Sequence, residues 1–164
     1  MNPAIRCRQA SIADLPDILR LYAQPALDNG KVLSMADAKN ILRRLENYPD
    51  YHLYVALKNS RVVGTFALLI MDNLVHAGTP SAVIEAVAVD PSWQHQGVGT
   101  YMMRYALCLC QQKGCDKATL SSSLSRPRAH RFYQSLGFEL HGYSFCAVTS
   151  TMAAVDYVDI GDKT

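Results

Sequence analysis

Hydrophobic and polar positions follow two different periods along the chain. A short strand is predicted at residues 5–8. Ser11-Ile12-Ala13-Asp14 has the form of a capping box, a hydroxyl residue followed three positions later by a carboxylate that can bond back to free N–H groups. Ile12, Leu15, Leu19 and Tyr22 recur at helical spacing, and Pro25 and Asn29-Gly30 close that helix. Ser34 to Asp37 repeats the box, and Met35, Ala38, Leu42 and Leu45 form a second helical stripe ended by Pro49. The period then shortens to that of a strand. Residues 51–57 predict a strand, Lys58-Asn59-Ser60-Arg61 a turn, and residues 61–75 a long apolar strand. Residues 77–80 turn the chain into a strand over 82–89, which Asp90-Pro91 stops. Residues 96–112 predict a helix apolar on almost every side, a pattern suited to packing between layers. A strand at 118–122, a helix at 128–136 and closing strands at 138–141 and 145–149 complete the series. This order predicts an α/β (α+β) domain over 1–150, a mixed sheet with helices on both faces, and a weakly patterned tail over 151–164.

Composition narrows the function classes. The chain has 164 residues, enough for one domain with a real core. Lys plus Arg number 16 and Asp plus Glu 14, a net charge of +2 without the basic stripe of a nucleic-acid binder. No apolar run reaches the length of a membrane span, and the first residues lack a signal-peptide pattern, so a soluble cytoplasmic protein is expected. The five cysteines are odd in number and lack zinc spacing, which favours small reduced thiols over a disulfide framework or a metal site.

The segment from Val87 to Thr100 carries the most chemistry. A strand runs through Asp90-Pro91-Ser92-Trp93 into Gln94-His95-Gln96-Gly97-Val98-Gly99, which opens the helix. Glycines allow close backbone approach, and a helix N-terminus offers unpaired N–H groups to an anion, so a diphosphate is a natural ligand. A tight strand-to-helix turn that needs glycine explains the same residues. Two nucleotide signatures fail. No lysine follows the glycines as a P-loop requires, and Met102 stands where the dinucleotide motif needs a third glycine.

This segment resembles motif A of the GCN5-related N-acetyltransferases (GNAT), where (Gln/Arg)-x-x-Gly-x-(Gly/Ala) binds the pyrophosphate of coenzyme A. Ala129-His130-Arg131-Phe132-Tyr133-Gln134-Ser135-Leu136-Gly137-Phe138 resembles the family's Ala-x-x-(Phe/Leu)-Tyr-x-x-x-Gly-Phe segment, in the right order and at the right distance. The resemblance implies a splayed mixed sheet of about seven strands and acetyl-CoA as co-substrate, with no metal. It implies that Gln94 opens the motif and that the N–H groups of Gln96, Gly97, Val98, Gly99 and Thr100 hold the pyrophosphate. Val87, Ala88 and Val89 would pair with the pantetheine arm like an added strand, beside a bulge that opens the sheet. Many members carry an Asn where this chain has Arg126, so that contact does not transfer, and Arg126 and Arg131 become candidate phosphate partners instead. Tyr133 matches the tyrosine that protonates the departing sulfur. Glu85 stands in the apolar strand 83–87, where a carboxylate is costly unless used or paired, and alternation puts it on the face of Val83 and Val87. It becomes the candidate base or ammonium ligand. Tyr22, Asp28 and Tyr143 flank the acceptor side in the family.

The implied activity is acetyl transfer from acetyl-CoA to a primary amine. A small-molecule acceptor such as an amino sugar or aminoalkylphosphonate is favoured by the residues around Glu85 and Tyr133. Acetylation of protein lysines or N-termini, and a non-catalytic acyl-CoA-binding module, are the alternatives. A homodimer is common in the family, and neither nucleic acid nor membrane is expected as a partner.

Overall fold

The computed structural model describes residues 4–147 and residue 149. Its elements run β1 (Arg6–Gln9), α1 (Leu15–Tyr22), α2 (Met35–Leu45), β2 (Tyr51–Lys58), β3 (Arg61–Met71), β4 (Ser81–Val89), α3 (Val98–Gln112), β5 (Lys117–Thr119) and α4 (Pro127–Ser135). The strands lie in the order β1-β2-β3-β4-β5, antiparallel except for the parallel pair β4–β5.

The first capping box forms, and it does more than cap. The buried Asp14 carboxylate accepts from the Ser11 N–H at 2.7 Å and the Ser11 hydroxyl at 2.9 Å. It also takes both Arg8 guanidinium nitrogens at 2.7 Å, which ties β1 to the start of α1. At α2 the Ser34 hydroxyl accepts from the Asp37 N–H at 3.1 Å. Asn59 and Ser60 both have positive φ, 52° and 61°, the conformation that matches a two-residue hairpin turn to strand twist.

Two cores sandwich the sheet. Ile18 and Leu21 of α1 pack on Val55, Val62 and Ala88 on one face. On the other, Met102, Met103 and Ala106 of α3 pack on Tyr54, Phe66, Leu68 and Ile84.

Three sequence expectations change. Five strands form among the described residues rather than about seven, since 138–147 adopts no strand. Leu140, Tyr143 and Phe145 there are 88–93% exposed, so alternation without a paired neighbour yields no strand. The expected strand at 145–149 lies partly outside the described residues. β3 stops at Met71 rather than residue 75, because Asn73 turns the chain by donating from Nδ2 to the Thr79 carbonyl at 2.8 Å. Helix α3 is not enclosed between layers; Tyr101 and Leu107 point outward, 41% and 36% exposed. Burial raises the thiols of Cys7 to about 12 and Cys110 to about 11, so both stay protonated and unreactive at neutral pH.

Candidate active site

A break in strand β4 organises the site. Thr65 pairs with Ala88 and Ala67 with Glu85, so Ala86 and Val87 together face the single residue Phe66. This is a β-bulge, and Ala86 takes it up at φ 50°, a left-handed conformation that costs a side-chain-bearing residue about 1–3 kcal/mol. The bulge shifts the strand's alternation. Ala82 and Ile84 face the α3 core, and beyond the bulge Val87 and Val89 do so as well, while Ala88 joins the α1 core. Glu85 therefore lies on the opposite face from Val87, not on the same one.

The register also opens the sheet. β4 pairs with β5 only over Ser81–Val83, so from Ile84 onward its outer edge has no strand partner among the described residues. The Val89 carbonyl at the end of this edge accepts the side-chain amides of Gln24 and Gln94, each at 3.3 Å.

The turn after β4 is pinned by Asp90. Its buried carboxylate accepts from the Ser92 N–H at 3.0 Å and hydroxyl at 2.6 Å, and from Arg20 at 2.6 Å. The Ser92 hydroxyl, with Arg20 beside it, holds this carboxyl below the usual range against the opposing effect of burial. His95 at φ 57° and Gly97 at φ 80° then swing the backbone into α3. Gly97 is the N-cap, which is why the helix begins at Val98 and not at Gln96. The first helical bond runs from the Tyr101 N–H to the Gly97 carbonyl at 3.0 Å, so the N–H groups of Val98, Gly99 and Thr100 lack helical acceptors. A Cβ on Gly97 would meet nothing within 4 Å, so the space over the cap is open. Gly99 has a different reason: a Cβ there would lie 3.0 Å from Cζ of Phe132, so its glycine lets α4 pack on α3.

Helix α4 presents Tyr133, half-buried between Phe132 and Phe138, with ring centroids at 5.2 and 5.8 Å. Burial raises its phenol above the ordinary value, and the Arg126 charge partly offsets that. Tyr133 lines a cleft of about 690 Å³ with Thr119, Ser121, His130 and Leu136. Arg126 is the N-cap of α4 and Arg131 is exposed on it. Tyr143 borders this same cleft and is 91% exposed.

Tyr22 and Asp28 gather instead on the α1 face. The Tyr22 hydroxyl is sealed from solvent without a hydrogen-bond partner among the described residues, and burial pushes it up to about 12. Tyr51 of β2 joins them. Burial and then the nearby Glu85 carboxylate raise its phenol. Glu85 is exposed and forms no ion pair among the described residues. Tyr133 and Glu85 thus approach from opposite faces of the sheet, with no direct contact.

Sequence reading missed Tyr51 and Asp90. Tyr51 meets Glu85 across the intervening strand β3, a non-local pairing that no local motif marks. Asp90 reads as a strand stop, although Asp before Pro at a strand end is also a signal for a side-chain turn.

An open strand edge, a bulge and a helix N-terminus over open space suit an extended amide-bearing ligand that ends in a diphosphate. Among the described residues no group of three His, Cys, Asp or Glu side chains is placed to hold a metal.

Comparison with known proteins gives the family. The model of the Acetyltransferase (GNAT) family matches residues 15–138. An aminoalkylphosphonate N-acetyltransferase of Salmonella typhimurium is 31% identical over 145 residues, 87% of this chain and 90% of that protein. A glucosamine 6-phosphate N-acetyltransferase of Trypanosoma brucei brucei is 35% identical over 81 residues, covering 49% of this chain and 53% of that protein. A solved Trypanosoma brucei acetyltransferase superposes with a TM-score of 0.76 at 26% identity, over 88% of this chain and 99% of the other. The chain belongs to the GNAT acetyltransferase family and is an N-acetyltransferase.

Proposed function

We propose that the protein transfers the acetyl group of acetyl-CoA to the primary amine of a small molecule. The carrying observation is the free edge of β4 beyond the Ala86 bulge, which ends at the open N-terminus of α3. Pantetheine amides would pair with the backbone of Val87 and Ala88, and the diphosphate would rest on the N–H groups of Gly97 to Thr100. Bound acetyl-CoA supplies a thioester activated toward amines. Glu85 accepts the proton of the incoming ammonium, directly or through water, since only the neutral amine attacks. A backbone N–H at Val87 or Ala88 stabilises the developing oxyanion. Tyr133, kept protonated by burial, holds the proton that the departing sulfur takes.

The acceptor side favours a cation. Glu85, Asp28 and the phenols of Tyr51 and Tyr22 share the α1 face, a set rich in hydrogen-bond acceptors. The two relatives named for aminoalkylphosphonate and glucosamine 6-phosphate support a small amine as the acceptor class. The test is thiol release from acetyl-CoA across amino sugars, aminophosphonates, polyamines, aminoglycosides and lysine peptides. Turnover with at least one small amine, above the lysine peptides, is expected. Turnover with peptides alone would move the acceptor class to proteins.

A further inference from the structure

The end of β2 holds a buried lysine. Lys58 is only 4% exposed, although it sits beside the hairpin turn where a solvated lysine is the rule. Its ammonium donates to Oε1 of Gln96 at 3.3 Å and lies 4.8 Å from the centre of the Trp93 ring. Both partners belong to the loop that leads into α3. Gln96 is itself anchored there, its Nε2 donating to the Ser92 carbonyl at 2.9 Å. No carboxylate lies within 4 Å of the Lys58 ammonium among the described residues. The buried carboxylate of the loop, Asp90, is already committed to Arg20 at 2.6 Å.

A buried cation without an anion is costly, because an amide oxygen and an aromatic face replace only part of its lost hydration. An ammonium has three donors, and Gln96 takes one. The missing counter-ion and the open helix N-terminus belong to the same short loop. We propose that Lys58 is a binding residue for the diphosphate of coenzyme A, its ammonium supplying the countercharge behind the Gln96–Gly97 cap. This rests on the coenzyme A reading above. The field that attracts the anion is then local and includes one full positive charge besides the N–H dipoles.

Trp93 is the single tryptophan of the chain, so its fluorescence reports on this loop directly. Binding of coenzyme A and of pantetheine, the same arm without phosphates, is measured for the native protein, Lys58→Met and Lys58→Gln. Gln keeps a donor for Gln96 but no charge. About a tenfold loss of coenzyme A affinity is expected in both variants, the order of one partly screened charge pair, with pantetheine affinity within about twofold of native. Native-like coenzyme A binding by Lys58→Gln would overturn the proposal and leave Lys58 a mere bridge to Gln96. An equal loss for pantetheine would overturn it too, by showing general damage to the loop. If native protein binds no coenzyme A, the functional reading beneath it falls instead.

Discussion

Replacing Tyr133 with phenylalanine removes one oxygen and little else. The ring keeps its contacts with Phe132 and Phe138 at 5.2 and 5.8 Å. The Tyr133 carbonyl still accepts from the N–H groups of Leu136 and Phe138 at 3.0 and 3.1 Å. Stability should therefore change by less than about 1 kcal/mol. The catalytic effect should be larger. A positioned general acid contributes typically about 10²–10⁴-fold, or about 3–5 kcal/mol of barrier. A thiol of ordinary acidity, near pKa 8.5, leaves fairly well as thiolate, which places the expected loss near the lower end, about a hundredfold in kcat. The sign of the pH effect follows from burial. Tyr133 is raised above its ordinary value, so the acid form persists further into alkaline solution, and the native rate should not fall for loss of this proton below about pH 10. The assay is thiol release at saturating acetyl-CoA across pH, with cofactor affinity read from Trp93 fluorescence. A kcat within about threefold of native, or a loss confined to acetyl-CoA affinity, would refute the acid role.

Glu85→Gln should lower kcat/KM for the amine by at least about tenfold without altering acetyl-CoA affinity, since the carboxylate faces the acceptor side. Tyr51→Phe should cost about three- to tenfold in the native background and almost nothing in Glu85→Gln, because the phenol acts on that carboxylate; additive losses in the double-mutant cycle would disprove the coupling. Gly99→Ala places a methyl 3.0 Å from Phe132 and should cost about 1–3 kcal/mol in thermal unfolding while weakening coenzyme A binding; an unchanged melting temperature would show that α4 yields freely. Asp14 is held down to about 2, first by its Arg8 hydrogen bond and then by Ser11. Its contribution, of order 1–2 kcal/mol after allowing for the half-exposed Arg8, is complete above about pH 4 and lost as pH falls through about 2. Asp14→Asn should flatten that acid limb, and parallel limbs in denaturant titrations would contradict it.

Local chemistry was legible in the chain. The capping box at Ser11, the N-cap at Ser34, the Asn59-Ser60 turn and the glycine-marked entry to α3 formed where side-chain hydrogen bonding and left-handed backbone demanded them. Non-local consequences were not. The family resemblance implied a bulge beside Val87–Val89, but no glycine or proline places it at Ala86, and the one-residue slip reassigns every face beyond it. Gly99 read as a glycine for close ligand approach or for a tight turn, and its packing against Phe132 of a distant helix is a further demand that no local motif shows. Lys58 reads only as part of a turn, because it is tertiary packing that buries it. The expected strand at 138–141 had suitable residues but gained no partner in the three-residue β5 edge.

Acetyl transfer at this site requires coenzyme A along the free edge of β4. Amide chemical shifts recorded while coenzyme A is added address this directly. The largest changes are expected at Gly97, Val98, Gly99 and Thr100 and along Val87 and Ala88. Changes centred instead on residues 138–145, with the N-terminus of α3 silent, would contradict it.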